Sequence, residues 1–274
     1  MSGNEWETGR GGAVPGGKGP AAAEGPYLTV AIPCYDEEAI LPATYARLKR
    51  ILEAQGVSYE LIFGNDGSND RTLELIEGFA ADDAKVFTTT HYPNRGLGYT
   101  YRDMYAAARG EIVITLDCDL AMTPEVTIPT FLDTLKQADV AIGSRYKGVK
   151  ADYPLKRLIF SWGYIIMNRL LFNLKVLDTQ TGTVGFHREV LPMLDLKADG
   201  PEMLVEFIAQ VGALPLRVEE VPLPWVHDTT SGETPVWRTS AQMLAGTMKV
   251  RRRLGAFKRA HAHGTQAGAP GRQG

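Results

Sequence analysis

The chain has 274 residues, 44% hydrophobic and 22% charged, an ordinary globular composition that suits one large α/β domain or two small ones. A formal net charge of −3 argues against a nucleic-acid partner. The only two cysteines, Cys34 and Cys118, lack zinc-site spacing and read as reduced, cytosolic thiols, not as a disulfide scaffold. Residues 1–26 are rich in Gly, Pro and Ala and read as a disordered tail with no apolar leader. Strand and helix patterns then alternate. Residues 27–33 read as a buried strand, and 39–56 as a helix with Leu41, Tyr45, Leu48 and Leu52 at helical spacing and Gly56 as its stop. A second strand spans 59–66, and Asp70 is placed to cap a helix running to about Phe79. Strand 84–90, a helix over 98–110 closed by Gly110, and strand 111–119 follow. Thr123 is expected to cap a helix with Pro124 at its first position, before a strand over 138–146. Beyond 150 come a long apolar helix (154–174), a mixed segment (176–226) and a basic helix (about 238–254). The apolar stretch 158–174 is broken by Asn168 and Arg169, short of the roughly 20 apolar residues of a membrane span. Residues 256–274 read as a disordered basic tail, which leaves 27–255 as the folded domain. The β-α-β-α rhythm predicts an α/β, Rossmann-like, mostly parallel sheet with helices on both faces, completed by the later helices.

Acids recur at the strand ends. "IPCYDEE" follows the first strand, "GNDGSND" the second and "DCD" the fourth. In a parallel sheet these three clusters gather on the carboxyl edge, where such sheets bind ligands. A single acid there is usually a cap or a turn former, but three clusters on one edge need a cation. Asp117 and Asp119, two apart and so on one side of a strand, suit a hard ion such as Mg2+ or Mn2+ that bridges to a diphosphate.

In this order and spacing the motifs resemble family-2 glycosyltransferases of the GT-A fold, and most of all the polyprenyl-phosphate and dolichyl-phosphate mannosyl- and glucosyltransferases, over roughly residues 27–255. Pro33, Tyr35 and Glu37 fit the opening P-x-Y-N-E motif, with Asp36 in place of the usual Asn. Asp66 of "NDGSNDRT" fits the second motif, and "DCDL" fits D-x-D. The resemblance implies that Pro33, Tyr35, Glu37, Asp66 and Asp117 bind the nucleotide. It also implies that Asp117 and Asp119 hold a catalytic Mg2+ or Mn2+. Met104 stands where the family often has Gly, and Val184 where it usually has Lys or Arg, with Arg188 a nearby substitute.

For the second substrate, Arg145 of "GSRYKG" and Arg157 and Ser161 of "PLKRLIFSWG" are matched by the Arg, Arg and Ser that hold the carrier's phosphate in lipid-phosphate transferases. Arg157 and Ser161, at i and i+4, share a helix face. Asp178 of "LDTQTG" is the candidate catalytic base if the acceptor is a hydroxyl. Glu206 matches an acid on a family helix that faces the site, and His227 lies in the closing elements. The apolar helix around Trp162 and Leu170 is either core or an interfacial helix that meets the isoprenoid chain. Beyond Glu233 the chain has basic residues, Arg251–Arg253 among them, and no acid, which suits contact with anionic lipid. The expectation is therefore an inverting transferase that moves a hexose from a UDP- or GDP-sugar to a polyprenyl or dolichyl phosphate. It would sit peripherally at the cytoplasmic face of a membrane. A transferase using a hydroxyl acceptor and an inactive nucleotide-sugar-binding protein are the alternatives.

Overall fold

The computed structural model describes residues 25–147, 155–226 and 236–262, without the side chains of 155–161, 236–243 and 262. Seven strands form one sheet: β1 (Leu28–Cys34), β2 (Tyr59–Asn65), β3 (Val86–Thr90), β4 (Ile112–Thr115), β5 (Val140–Ser144), β6 (Val184–His187) and β7 (Val218–Pro222). Their order is β3-β2-β1-β4-β6-β5-β7. All neighbours pair in parallel except β6, which runs antiparallel to both β4 and β5. Strand order reverses between β1 and β4, so a crevice opens beyond their carboxyl ends, the usual ligand position in such sheets.

The inner strands β1, β2, β4 and β5 are buried on both faces, and period-2 alternation sorts their side chains into two cores. Leu28, Val30 and Ile32 of β1 and Ile112 and Ile114 of β4 face one core. There they meet helices α1 (Leu41–Ala54), α2 (Thr72–Asp82) and α4 (Pro124–Thr134), with Leu48, Leu52, Ile76 and Phe131 among the contacts. Ala31 and Val113 face the other core. Helices α3 (Leu97–Ala107), α5 (Leu155–Phe172), α6 (Glu202–Val211) and α7 (Val236–Ala262) cover it, with Tyr101, Phe172, Phe207 and Leu254 among the contacts. The mostly parallel sheet with helices on both faces is thus observed.

Several local expectations are corrected. β4 stops at Thr115, short of Asp117. The Thr115 hydroxyl accepts the Val184 amide at 3.1 Å and donates to the Gly182 carbonyl, so side-chain bonds replace the ladder where β6 begins. Gly110 does not cap α3, which ends at Ala107; it lies beside β1, where an added Cβ would stand 2.5 Å from the Thr29 nitrogen. Thr123 caps α4 by position only, since its hydroxyl makes no cap hydrogen bond; its carbonyl accepts the Thr127 amide at 2.9 Å. Helix α7 continues to Ala262, through the stretch expected to be disordered from 256. Val250, Leu254 and Phe257 are buried at helical spacing, and that stripe carries the helix past Gly255. The expected tails at 1–24 and 263–274, together with His227 and the side chains of Arg157 and Ser161, lie outside the described residues.

Candidate active site

The loops after β1 and β2 are stitched together. The Asp36 amide donates to Ser68 Oγ (3.1 Å), the Glu37 amide to Thr72 Oγ1 (2.8 Å) and the Glu38 amide to Asp70 Oδ2 (3.0 Å). In return Asp36 Oδ1 accepts the Asn69 amide (2.6 Å) and Glu38 Oε2 the Arg71 amide (2.9 Å). Asp36 sits at φ +54, a left-handed conformation that Asp and Asn tolerate best among residues with a side chain, which accounts for Asp where the motif has Asn. Arg71, not Asp70, holds the N-cap position of α2; Asp70 stands one residue earlier, its Oδ1 accepting the amide of Thr72, the first helical residue, at 2.9 Å, while its other oxygen holds the first loop. Tyr35 is exposed on this rim, its hydroxyl 3.3 Å from Asn69 Nδ2.

Asp66 is buried and anchors the loop before α3. Its Oδ1 accepts the amides of Arg95 (2.9 Å) and Gly96 (3.1 Å) and lies 2.7 Å from His91 Nε2. The sequence reading missed His91, which lies between Asp66 and Asp103 (Nδ1 to Oδ2 3.5 Å).

Asp117 and Asp119 stand in a turn beyond β4, not in the strand. The Leu120 amide donates to the Asp117 carbonyl at 3.0 Å, Leu120 takes φ +50, and Asp119 Oδ1 accepts the Ala121 amide at 3.0 Å. Asp117 is open to solvent on its cleft side and walled elsewhere by Tyr101 and Gly182. Crowding by protein, and then the charge of Asp119, push its carboxyl up to about 6, against an opposing pull from Arg145. Glu37 is pushed up to about 7 by burial and then by Asp119, Asp70, Asp117 and Asp36. The three strand-end clusters therefore do converge, and their mutual repulsion is not neutralised by the protein alone.

Arg145 and Asp178 form a pair on the other wall. Arg145 Nε and Nη2 donate to the two Asp178 oxygens at 2.8 and 2.9 Å, and the Arg145 and Gln180 amides add bonds at 3.1 and 3.2 Å. Asp178 is fully buried. Glu220 of β7 accepts the Leu177 and Asp178 amides at 3.0 and 2.8 Å and fixes this loop. Both Asp178 oxygens are taken up by the Arg145 guanidinium and by the Arg145 and Gln180 amides, so the geometry makes Asp178 a positioning residue for Arg145 instead of a base.

Other expected residues lie elsewhere. Arg188 is at the opposite, amino-terminal edge, its Nε donating to the Gly110 carbonyl at 3.0 Å, because β6 runs antiparallel and carries the chain away from the acids. Val184 is buried in the core. Glu206 is buried and accepts the Lys197 and Ala198 amides at 2.8 and 2.7 Å, with Arg253 of α7 2.8 Å from its other oxygen. Its local partners make it a loop anchor. Met104 packs against Gly64 of β2, where a Cβ would stand 2.7 Å from the Met104 sulfur; the glycine facing it admits the larger side chain. Helix α5 carries both Arg157 and Ser161.

A divalent ion suits this edge. Among the described residues no group of three or more His, Cys, Asp and Glu forms a ready cage. Mg2+ needs no cage, since it commonly takes one or two carboxylates and completes its shell with water and phosphate. Two hard oxygen donors with uncompensated repulsion at an open rim match that requirement.

This architecture is that of the GT-A glycosyltransferases. Glucosyl-3-phosphoglycerate synthase from Mycobacterium tuberculosis, solved with Mn2+, uridine diphosphate and phosphoglyceric acid, superposes with a TM-score of 0.61 at 19% identity, covering 83% of this chain and 79% of that one. The same protein solved with Mg2+ and uridine diphosphate gives a TM-score of 0.60 at 18% identity over 82% and 79%. The model of the family "Glycosyl transferase family 2" matches residues 29–193, and the chain belongs to that family. The dolichol-phosphate mannosyltransferase of Pyrococcus furiosus is 32% identical over 202 residues, 71% of this chain and 55% of that protein. The dolichyl-phosphate beta-glucosyltransferase of Trichomonas vaginalis is 29% identical over 73% of this chain and 65% of its own. The chain thus spans between half and two thirds of the length of these curated relatives.

Proposed function

We propose that this chain is an inverting hexosyltransferase that moves a sugar from a UDP- or GDP-sugar to a polyprenyl or dolichyl phosphate at a membrane surface. One observation carries the reading: Glu37, Asp117 and Asp119 crowd the β1/β4 crevice, where burial and mutual repulsion push Glu37 up to about 7 and Asp117 up to about 6, across from an arginine held in place by a buried acid. Supporting it, the relatives from Pyrococcus furiosus and Trichomonas vaginalis are dolichyl-phosphate sugar transferases.

The nucleoside would lie along Pro33, Tyr35, Glu37 and Asp66. Asp117 and Asp119 would hold Mg2+ or Mn2+, which supplies charge neutralisation for the departing diphosphate. Arg145 is fixed by Asp178 beside Asp117, where it adds positive charge between donor and acceptor. With Arg157 and Ser161 of α5 it would hold the carrier's phosphate. That phosphate is already anionic at neutral pH, so its attack on the anomeric carbon needs no general base. A hydroxyl acceptor needs one, and Asp178, the residue expected to serve, is committed to Arg145. The catalytic domain would run from residue 27 to the end of α7, at the cytoplasmic face where thiols stay reduced.

A screen of UDP- and GDP-sugars against a short polyprenyl phosphate, with products read by mass, tests the assignment. Expected is a lipid-phosphate hexose that forms with Mn2+ or Mg2+ and is lost in Asp119→Ala and Arg157→Ala. Transfer to hydroxyl acceptors alone, or metal-independent transfer by Asp119→Ala at the parent rate, would overturn it.

A further inference from the structure

Asn168 and Arg169 break the apolar run of α5. Arg169 is exposed, but Asn168 is fully buried. The chain leaves α5 at Phe172, turns at Asn173 (φ +54) and returns so that Thr179 lies beside Asn168. Asn168 Nδ2 donates to Thr179 Oγ1 at 3.1 Å, and Thr179 is fully buried as well. Asn168 Oδ1 is buried with no partner among the described residues. A buried oxygen left unpaired costs more than one neutral hydrogen bond contributes, so this pair adds less to stability than leucine and valine of the same shape would. What the bond supplies is register. The apolar contacts of Ile165 and Phe172 on either side of it are non-directional, whereas a buried asparagine is satisfied in one alignment only.

The two sides that this bond aligns both belong to the second-substrate half. Thr179 follows Asp178, whose oxygens hold the Arg145 guanidinium. Glu220 of β7 grips that loop from the sheet, through the Leu177 and Asp178 amides, and Asn168 grips it from α5. On α5, Asn168 follows Ser161 and Arg157 by about two and three helical turns, so the three positions share one face of the helix. One turn before Asn168, the Tyr164 hydroxyl bonds Thr247 of α7 at 2.6 Å, which fixes the helix on its other side.

We propose that Asn168 is a positioning residue of the acceptor site. Through Thr179 it aligns the loop that fixes Arg145 with the helix that carries Arg157 and Ser161, and so sets the spacing of the groups that meet one phosphate. A slip of one residue along α5 would shift that spacing by about 1.5 Å. The role toward phosphate rests on the function proposed above; the tether between α5 and residues 177–181 does not.

The test compares the intact protein with the double variant Asn168→Leu/Thr179→Val, which replaces both polar partners by apolar groups of like shape. Its Tm is expected at or above the parent's. With Mn2+ and a short polyprenyl phosphate, its KM for the nucleotide-sugar is expected at the parent value, while its KM for the polyprenyl phosphate rises on the order of 10-fold, the weight of about one hydrogen bond. Thr179→Ser keeps the hydroxyl and is expected to keep the parent KM. Amide hydrogen exchange is expected to rise in residues 176–182 of the double variant. A parent-like KM for polyprenyl phosphate in the double variant overturns the proposal. So does a rise matched by the KM for the donor and by a falling Tm, since the bond would then be ordinary packing. If the parent itself transfers no sugar to polyprenyl phosphate, the function proposed above is rejected, and the tether stands or falls on the exchange in residues 176–182.

Discussion

A Cβ at position 182 would stand 2.5 Å from Asp117 Oδ1 and 2.8 Å from the Tyr101 hydroxyl, so only glycine leaves the carboxylate where it is. Gly182→Ala should therefore displace Asp117 with little effect on the fold. A misplacement near 1 Å costs on the order of 10²-fold in rate, so kcat/KM should fall on that scale with Tm nearly unchanged; parent-like kinetics would show that Asp117 has room to spare. The acids also predict an unusual pH dependence. Asp117 and Glu37 keep their protons up to about 6 and about 7, above the ordinary carboxylate range. The folded chain binds protons there that the unfolded chain has released. This contribution to stability is complete below about pH 4, where unfolded carboxyls are protonated, and is lost as pH rises through 6 and 7. The Tm of metal-free protein should decline between pH 5 and 7.5, and Mn2+ should restore more at pH 7.5 than at pH 5; a flat profile in both conditions counts against the crowded site. These acids were legible in the sequence because each ends an apolar run. Gly182, Glu220 and His91 were not, because their partners are loop and helix residues far away in sequence that only the folded sheet brings beside them.

At the scale of elements, strands and helices up to β5 follow from hydrophobic periodicity, Gly56 (φ +68) being a stop of the expected left-handed kind. β6 was not resolved within the mixed segment 176–226. It has four residues, Val184–His187, too few to show a period, and its antiparallel sense follows from a chain reversal after the helix of the acceptor side. That reversal is also why Arg188 lands at the wrong edge to replace a basic residue at 184. The end of α7 was misread because Phe257 stands among basic residues that look like a solvated tail. The structure buries Phe257 with Leu254 and Val250 against the core that contains α6. Phe257→Ala should cost roughly 3 kcal/mol, the low end for a buried phenylalanine, and so lower Tm by about 6–10 °C. A chain cut after Gly255 should lose at least as much. Unchanged Tm in both would return the residues after 255 to a dispensable tail.

For the whole molecule, the question left open by the sequence is whether the apolar helix is core or interface; α5 packs one side into the core and leaves apolar side chains exposed on another. Ile165 and Phe172 are buried, while Trp162, Ile166 and Leu170, four residues apart and on one face, are exposed, Leu170 by 79%. Tyr164 of α5 bonds Thr247 of α7 across 2.6 Å, which sets the two helices side by side. Leu244 and Met248 of α7 are exposed as well. Lys249, Arg251, Arg252, Lys258 and Arg259 on the same helix are also exposed. No helix among the described residues is long and apolar enough to cross a membrane. An apolar stripe beside basic residues is the pattern that lies in an anionic lipid surface, where each cation adds about 1 kcal/mol. Replacing both Ile166 and Leu170 by Glu removes apolar contact and adds repulsion, and neither change disturbs the core because both side chains point outward. Binding to vesicles rich in phosphatidylglycerol, measured by sedimentation, should drop by about tenfold or more, and high salt should weaken the parent in the same direction. Transfer to polyprenyl phosphate embedded in those vesicles should fall with it, while transfer to a short-chain acceptor free in solution should hold at the parent rate. Equal vesicle binding by parent and variant would mean that this face meets something other than lipid. A parallel loss on the soluble acceptor would place Ile166 and Leu170 in the acceptor pocket itself.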